Sequence, residues 1–161
     1  MSTQKRKDSA NKIMAENRKA RYNYHIESEI ECGLVLIGSE VKSLRNGHTN
    51  IGESYANIEK NELWLINSYF PAFEKAKTFG HDERRQRKLL VKKRELSKLW
   101  HNIGRDGMTL IPLKVYFNDE GKAKLLLGVA KGKKLADKRE TEKKRDWQKQ
   151  KARLMREKGK Y

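Results

Sequence analysis

Thr109–Phe117 reads TLIPLKVYF, Asn118–Gly121 reads NDEG, and Lys122–Ala130 reads KAKLLLGVA. Both longer runs alternate. Leu113, Val115 and Phe117 fall on one face of the first, and Leu125, Leu127 and Val129 on one face of the second. A period of two is that of a half-buried strand. The four residues between are rich in turn formers, so the three stretches together predict an antiparallel hairpin.

Working outward, Lys93 starts a helical period with Leu96, Leu99, Trp100 and Ile103 on one face, ending at Gly104. Leu89, Leu90 and Val91 form a brief apolar run, and Pro71–Gln86 reads as a surface loop. Ser54–Glu59 alternates, Asn61 supplies a turn, and Leu63–Tyr69 returns as the second arm of another hairpin. From Tyr22 the pattern predicts one long strand or two, broken near Cys32-Gly33, with Leu34–Ile37 as a buried run. Ser39 is placed to cap a short helix over Glu40–Arg45, stopped by Asn46-Gly47. About six strands with short helices between them predict a mainly β fold. A small antiparallel barrel of the oligonucleotide-binding type hides the most edges, and a sandwich is the second choice.

The formal net charge is +17. Residues 1–21 hold 7 basic and 2 acidic residues, residues 22–130 hold 17 and 14, and residues 131–161 hold 14 and 5. A nearly balanced domain thus carries two cationic arms, which points to a polyanionic partner. The expected organisation is a disordered basic arm over 1–15, the barrel over 16–132, and a basic tail over 133–161. No apolar run is long enough to span a bilayer, and the basic, polar start is unlike a secretory signal. Cys32, the single cysteine, fits a reducing cytoplasm.

The sequence lacks a phosphate-binding glycine loop and a recognisable nucleophile motif. His25, His48, His81 and His101 are not spaced as metal ligands. No catalytic residue, metal or cofactor is expected. What remains is RNA binding, in four segments. Asn17–Arg21 (NRKAR) runs into Tyr22 and Tyr24, setting Arg18, Lys19 and Arg21 beside rings that suit phosphate clamping and stacking. In Glu40–Arg45 (EVKSLR), Val41 and Leu44 face the core, leaving Glu40, Lys42 and Arg45 for other work. Arg84–Leu90 (RRQRKLL) can lay Arg85, Arg87 and Lys88 along a backbone. In Gly128–Arg139 (GVAKGKKLADKR) a strand end passes into a basic run.

In this order the segments resemble the small protein B family, which binds transfer-messenger RNA in trans-translation. The resemblance runs from Asn17 to Arg139 and includes the Asn50–Ser54–Tyr55 pattern and the KRE after RKLL. It implies an oligonucleotide-binding-type barrel that grips the tRNA-like domain of transfer-messenger RNA near its elbow. It also implies a second partner, the small ribosomal subunit, whose empty mRNA channel near the decoding centre receives the tail. The resemblance carries binding roles onto Asn17, Arg18, Lys19, Glu31, Glu40, Lys42, Arg45, Ser54, Tyr55, Arg87 and Lys88 of the barrel. At the tail root it carries them onto Lys131, Lys133 and Lys134, and in the tail onto Asp137, Lys138 and Arg139. Ala136 departs from the family, which has a ring there, as does Glu83, where the family has a proline. A ribosomal or ribosome-assembly protein with basic arms is the alternative. A monomer without membrane association is expected.

In the tail, Asp137 and Glu140 have the spacing of a capping box. A helix would gather Trp147, Leu154 and Met155 into one apolar stripe, with cations covering the remaining face; Lys143, Lys144, Arg145, Lys151 and Arg153 are tail cations expected to meet the ribosome. So little apolar surface does not offset the ordering of an isolated helix. The tail is therefore expected to be disordered alone and helical when bound.

Overall fold

The computed structural model of the chain describes residues 12–73, 80–133 and 135–159, without the side chains of 105, 106, 135 and 137. The hairpin above forms β6 (Thr109–Phe117) and β7 (Ala123–Gly132). Its turn is held by Asn118, whose Oδ1 accepts the backbone N–H of Glu120 at 3.1 Å and of Lys122 at 2.8 Å. The other edge of β7 pairs antiparallel with β2 (Tyr24–Leu34). From β2 the ladder continues through β5 (Arg87–Leu90), β4 (Glu62–Ile66) and β3 (Tyr55–Glu59). It returns to β6 at Ala56↔Leu110, closing a ring of six strands. The antiparallel, oligonucleotide-binding-like architecture read from the sequence is the one these strands form. The β3–β4 turn places Lys60 and Asn61 at φ 51° and 61°, the left-handed pair that joins two-residue hairpins.

A seventh strand, β1 (Ile13–Glu16), pairs with β6. It begins inside the stretch read as a disordered arm over 1–15, of which residues 1–11 lie outside the described residues. Four residues carry too weak a period to announce a strand, and the exposed edge of β6 supplies the pairing.

β6 differs in a second way. Pro112 pairs with Leu127 and Lys114 with Leu126, so Leu113 is the extra residue of a bulge. The bulge takes Leu113 off the face of Val115 and Phe117, where alternation had put it. Leu113 instead joins Ile111 and Ala130 in a small outer cluster with Ala20, Tyr24 and Ile26. Ala20 comes from α1 (Ala20–Asn23), a turn of helix at the point where a strand had been expected to begin. The main core lies inside the ring and includes Cys32, Leu63, Leu65, Leu89, Val115, Leu125 and Leu127. Leu34–Ile37 is not uniformly buried: Val35 and Ile37 are exposed because alternation continues past the end of β2.

α2 (Gly38–Asn46) starts with Ile37 as its N-cap, whose N–H donates to the Glu40 carboxylate at 3.0 Å. Ser39 does not cap this helix; its hydroxyl lies 2.8 Å from His81 Nδ1. α3 (Lys93–Asp106) runs through Gly104 and stops at Gly107, where φ is 61°. A glycine inside a helix costs only about 1 kcal/mol, so the left-handed cap at Gly107 decides the end. Its face buries Leu99, whereas Trp100 is 60% exposed.

α4 (Leu135–Lys158) is one helix of 24 residues. The helix lies where the sequence placed it, but Asp137, spaced as its N-cap, lies inside it. The physical reason lies at the root, described below.

The burial pattern makes a direct prediction. Leu44→Ala, at a fully buried site, should lower the unfolding free energy by about 2–5 kcal/mol in urea melts. Leu90→Ala, on the outer face of β5 at 52% exposure, should change it by about 1 kcal/mol or less.

Candidate nucleic-acid interface

The sequence-predicted residues fall into three groups. The first surrounds α1. Asn17 ends β1 by donating its backbone N–H to Leu113 O at 2.8 Å and its side-chain amide to Pro112 O at 3.2 Å. That anchor on the β6 bulge turns the chain, so Arg18 and Lys19 project into solvent. Arg21 is also exposed and pairs with Glu29 at 2.7 Å. Below this turn is a cleft of about 280 Å³ lined by Asn17, Asn23, Tyr24, Ser54, Tyr55 and Thr109, among others. Ser54 is buried and donates to Ile51 O at 2.7 Å, which shapes the loop before β3, while Tyr55 stands exposed at the rim. Four predicted residues from three separate strand ends thus share one concavity. Thr109 and Ile111 also line it, and local sequence carried no sign of that, because only barrel closure brings them there.

The same turn holds the tail. Tyr22 donates its hydroxyl to Glu142 at 2.8 Å. Lys138 and Arg145 lie over the Tyr22 ring at 6.0 and 5.8 Å. Lys133 Nζ donates to Arg21 O and to Thr141 Oγ1, both at 2.9 Å, and the Lys133 backbone N–H donates to Asn23 O at 2.9 Å. The Glu142 hydrogen bond, then burial, raises the Tyr22 hydroxyl above its ordinary pKa. These contacts fix the first turns of α4 and so remove the nucleation cost that makes an isolated helix marginal. Lys131 is exposed near the end of β7, 3.9 Å from Glu27. Lys134 lies outside the described residues. Arg139, Lys143, Lys144, Lys151 and Arg153 are all exposed along the helix.

The second group is α2 and the loop before β5. Lys42 and Arg45 are exposed, the first 5.5 Å from the Phe73 ring and the second 5.7 Å from the Phe117 ring. Glu40 and Arg87 are not available for direct contact with RNA; both side chains are 0% exposed. Arg87 Nε donates to Glu40. Its remaining donors reach Ser68 Oγ at 3.0 Å, Arg85 O at 2.7 Å, and the carbonyls of Asp82 and Glu83 at 3.3 Å each. The guanidinium carbon sits 4.0 Å from the centre of the buried Phe70 ring. Burial would raise the Glu40 carboxyl. The hydrogen bonds from Arg85 and the Ile37 N–H, with the charges of Arg87 and Arg85, outweigh burial and hold it below the usual carboxylate range. Arg85 spends part of its charge on Glu40 and is half-buried. In this arrangement Glu40 and Arg87 hold α2, and with it Lys42 and Arg45, against β5. A signal for this was present, since Arg87 alternates with the buried Leu89, and Glu40 lies one helical turn before Leu44.

The third group lies on the barrel wall. Glu31 accepts the Tyr116 hydroxyl. Burial, then that hydrogen bond, raises the tyrosine above its ordinary value. Arg45 and Glu31 thus meet adjacent residues at the end of β6, Phe117 and Tyr116. Lys88, on the outer face of β5, pairs with Glu62 at 3.1 Å.

The sequence pattern described as SmpB protein matches residues 14–157, which spans both the barrel and the tail. The chain belongs to the SmpB family. Among SmpB-family relatives, the "SsrA-binding protein" of Paracoccus denitrificans (strain Pd 1222) is 64% identical over 146 residues, 91% of this chain and 94% of that protein. The "SsrA-binding protein" of Mesorhizobium japonicum is 58% identical over 159 residues, 99% of this chain and 100% of that one. A solved SmpB chain, described as "tmRNA-SmpB: a journey to the center of the bacterial ribosome", superposes with a TM-score of 0.63 at 48% identity, covering 74% of this chain and 84% of its own.

The buried pair predicts a stability signature. Arg87→Ala should cost about 3–5 kcal/mol in urea melts, because it leaves a buried carboxylate unpaired. Replacing both partners by methionine should cost less than either single change. The folded Glu40 carboxyl titrates below its unfolded value. Its contribution is therefore present above about pH 4.3 and lost as pH falls through the folded value. The double variant should lack this acid-dependent component.

Proposed function

We propose that this chain is an RNA-binding ribosome-rescue factor. It binds the tRNA-like domain of transfer-messenger RNA and delivers it to stalled ribosomes, with the C-terminal tail entering the empty mRNA channel near the decoding centre. One observation carries the reading: the family match spans barrel and tail together, and the two are joined here at α1. An RNA face and a cationic rod held by one turn suit a protein that must touch two RNAs. The reading assigns no chemistry to the chain. Among the described residues no helix is long and apolar enough to cross a membrane.

RNA contact is assigned to the solvent-reaching members of the first two groups, with Tyr24 half-buried at the cleft. Arg18, Lys19, Lys42, Arg45 and Lys131 supply charge, and Tyr24 and Tyr55 supply rings at the cleft. A folded tRNA-like elbow offers few base edges, so recognition is of shape and phosphate position. Contacts neutralising about 5 phosphates give a log–log salt slope of roughly −3.5 to −4.5 for the tRNA-like domain. Lys19→Ala and Arg45→Ala should each flatten that slope by about 1 with unchanged melting temperature. A slope near zero for the unmodified protein would overturn the electrostatic reading. A ribosomal protein with basic arms would survive a high-salt wash of purified subunits, and a rescue factor would leave.

The tail separates from the barrel in function. Trp147, Leu154 and Met155 are 66%, 58% and 66% exposed along α4, in a segment whose other side chains are largely cationic. Leu154→Asp combined with Met155→Asp should leave transfer-messenger RNA binding intact and abolish tagging on stalled ribosomes in a reconstituted translation assay. Full tagging by the double variant would show that the stripe plays no part.

A further inference from the structure

Away from α1 and the tail root, α3 and the β3–β4 turn enclose a groove of about 400 Å³ lined by Ile58, Asn61, Lys93, Leu96, Ser97 and Trp100. Leu96 and Ile58 pack on the barrel core and form its apolar floor. Trp100 stands over it as one wall, 60% exposed. The rim is cationic. Lys60, Lys92, Lys93, Arg94 and Lys98 are all exposed, and none of them forms an ion pair among the described residues. The acidic neighbours are fewer. Glu95 is occupied in capping α3 through the Lys92 N–H at 3.2 Å, Glu62 is paired with Lys88, and Glu59 remains.

We infer that this groove is a second RNA site, which takes one unpaired nucleotide with its base stacked on Trp100 and its flanking phosphates on the Lys93 and Arg94 side. An exposed indole over an apolar floor offers a π-face to any base. The Asn61 amide and Ser97 hydroxyl line the same space and can meet a base edge. An excess of unpaired cations selects a polyanion over a neutral or basic partner. The β3 strand separates this groove from the cleft: Tyr55 lies at the cleft and Ile58 at the groove, about 10 Å apart at the strand rise. The two sites can therefore hold different RNA segments at once. The inference goes beyond the proposed function and uses none of its contact residues.

The test is a titration of the full chain, labelled with 5-fluorotryptophan, with the hexanucleotide rA6, followed by fluorine NMR. The three tryptophan resonances are assigned with Trp64→Phe, Trp100→Phe and Trp147→Phe variants. The Trp100 resonance should shift saturably with rA6. Trp100→Ala should weaken the binding that this groove contributes by about 5- to 150-fold, the range of a lost base–aromatic stack. Lys93→Glu with Arg94→Glu keeps the ring and should abolish the Trp100 shift, so the test survives if Trp100→Ala misfolds. Binding of the tRNA-like domain, measured in parallel, should be unchanged in both variants. Its loss from the unmodified protein would count against the proposed function and not against the groove. A shift confined to Trp147, no shift at all, or an equal Trp100 shift with a hexa-aspartate peptide would overturn the inference.

Discussion

The Glu40–Arg87 pair fixes more of this molecule than any other single contact. It joins the first turn of α2 to an inward position of β5, and through the Asp82 and Glu83 carbonyls it ties down the connection before β5. An α-helix turns about 100° per residue, so burying Glu40 and Leu44 on one side leaves Lys42 and Arg45 on the other. Two charges inside the fold thus determine which charges stand outside it. Arg87 suits the task better than lysine would. Its five donors are spread in a plane that one carboxylate, a hydroxyl and several carbonyls can satisfy while Phe70 covers its face.

α1 plays the corresponding part for the tail. It is a single turn, yet it lines the cleft on one side and receives Glu142 and the Lys133 ammonium on the other. Its own position rests on the β6 bulge, where Asn17 satisfies two neighbouring carbonyls and Ala20 covers the displaced Leu113. A change at the bulge would therefore reach both the RNA cleft and the direction in which α4 leaves the barrel. The bulge is a functional feature for that reason.

The two hairpins were legible because alternation over five to nine residues leaves one period consistent with burial. β7 followed that rule throughout, with Leu125, Leu127 and Val129 inside. Legibility failed where tertiary contacts overrode local pattern. β1 exists because β6 has a free edge to pair, and Leu113 left its expected face because one extra residue resets the alternation. The cationic segments were legible as segments, but charge alone does not distinguish Arg87 from Lys88. Strand parity does, since the buried Leu89 sets Arg87 inward and Lys88 outward. Several of its residues were legible singly, but the cleft as one concavity was not, because only barrel closure brings together strand ends that spread along the chain from Asn17 to Ile111.

The tail shows how a helix can be read correctly in position while its start is set from outside it. The capping spacing at Asp137 and Glu140 suggested a start within the tail, and poor apolar content suggested that nothing would hold it. The start is instead set from outside, by Tyr22 and the backbone of α1. Once those contacts fix the first turns, each later residue adds a hydrogen bond without paying for nucleation. Among the described residues no hydrogen bond or ion pair ties α4 to the barrel beyond Arg145, and the Arg153–Glu157 pair at 4.0 Å is exposed and worth only about a few tenths of a kcal/mol. Order in the helix should accordingly decline from root to tip. The tip holds Leu154 and Met155, which carry apolar surface that the free chain leaves in water. A partner that covers them gains that burial and consolidates the least stable turns in one step, so helix completion and binding become a single event at the tip while the root stays preformed.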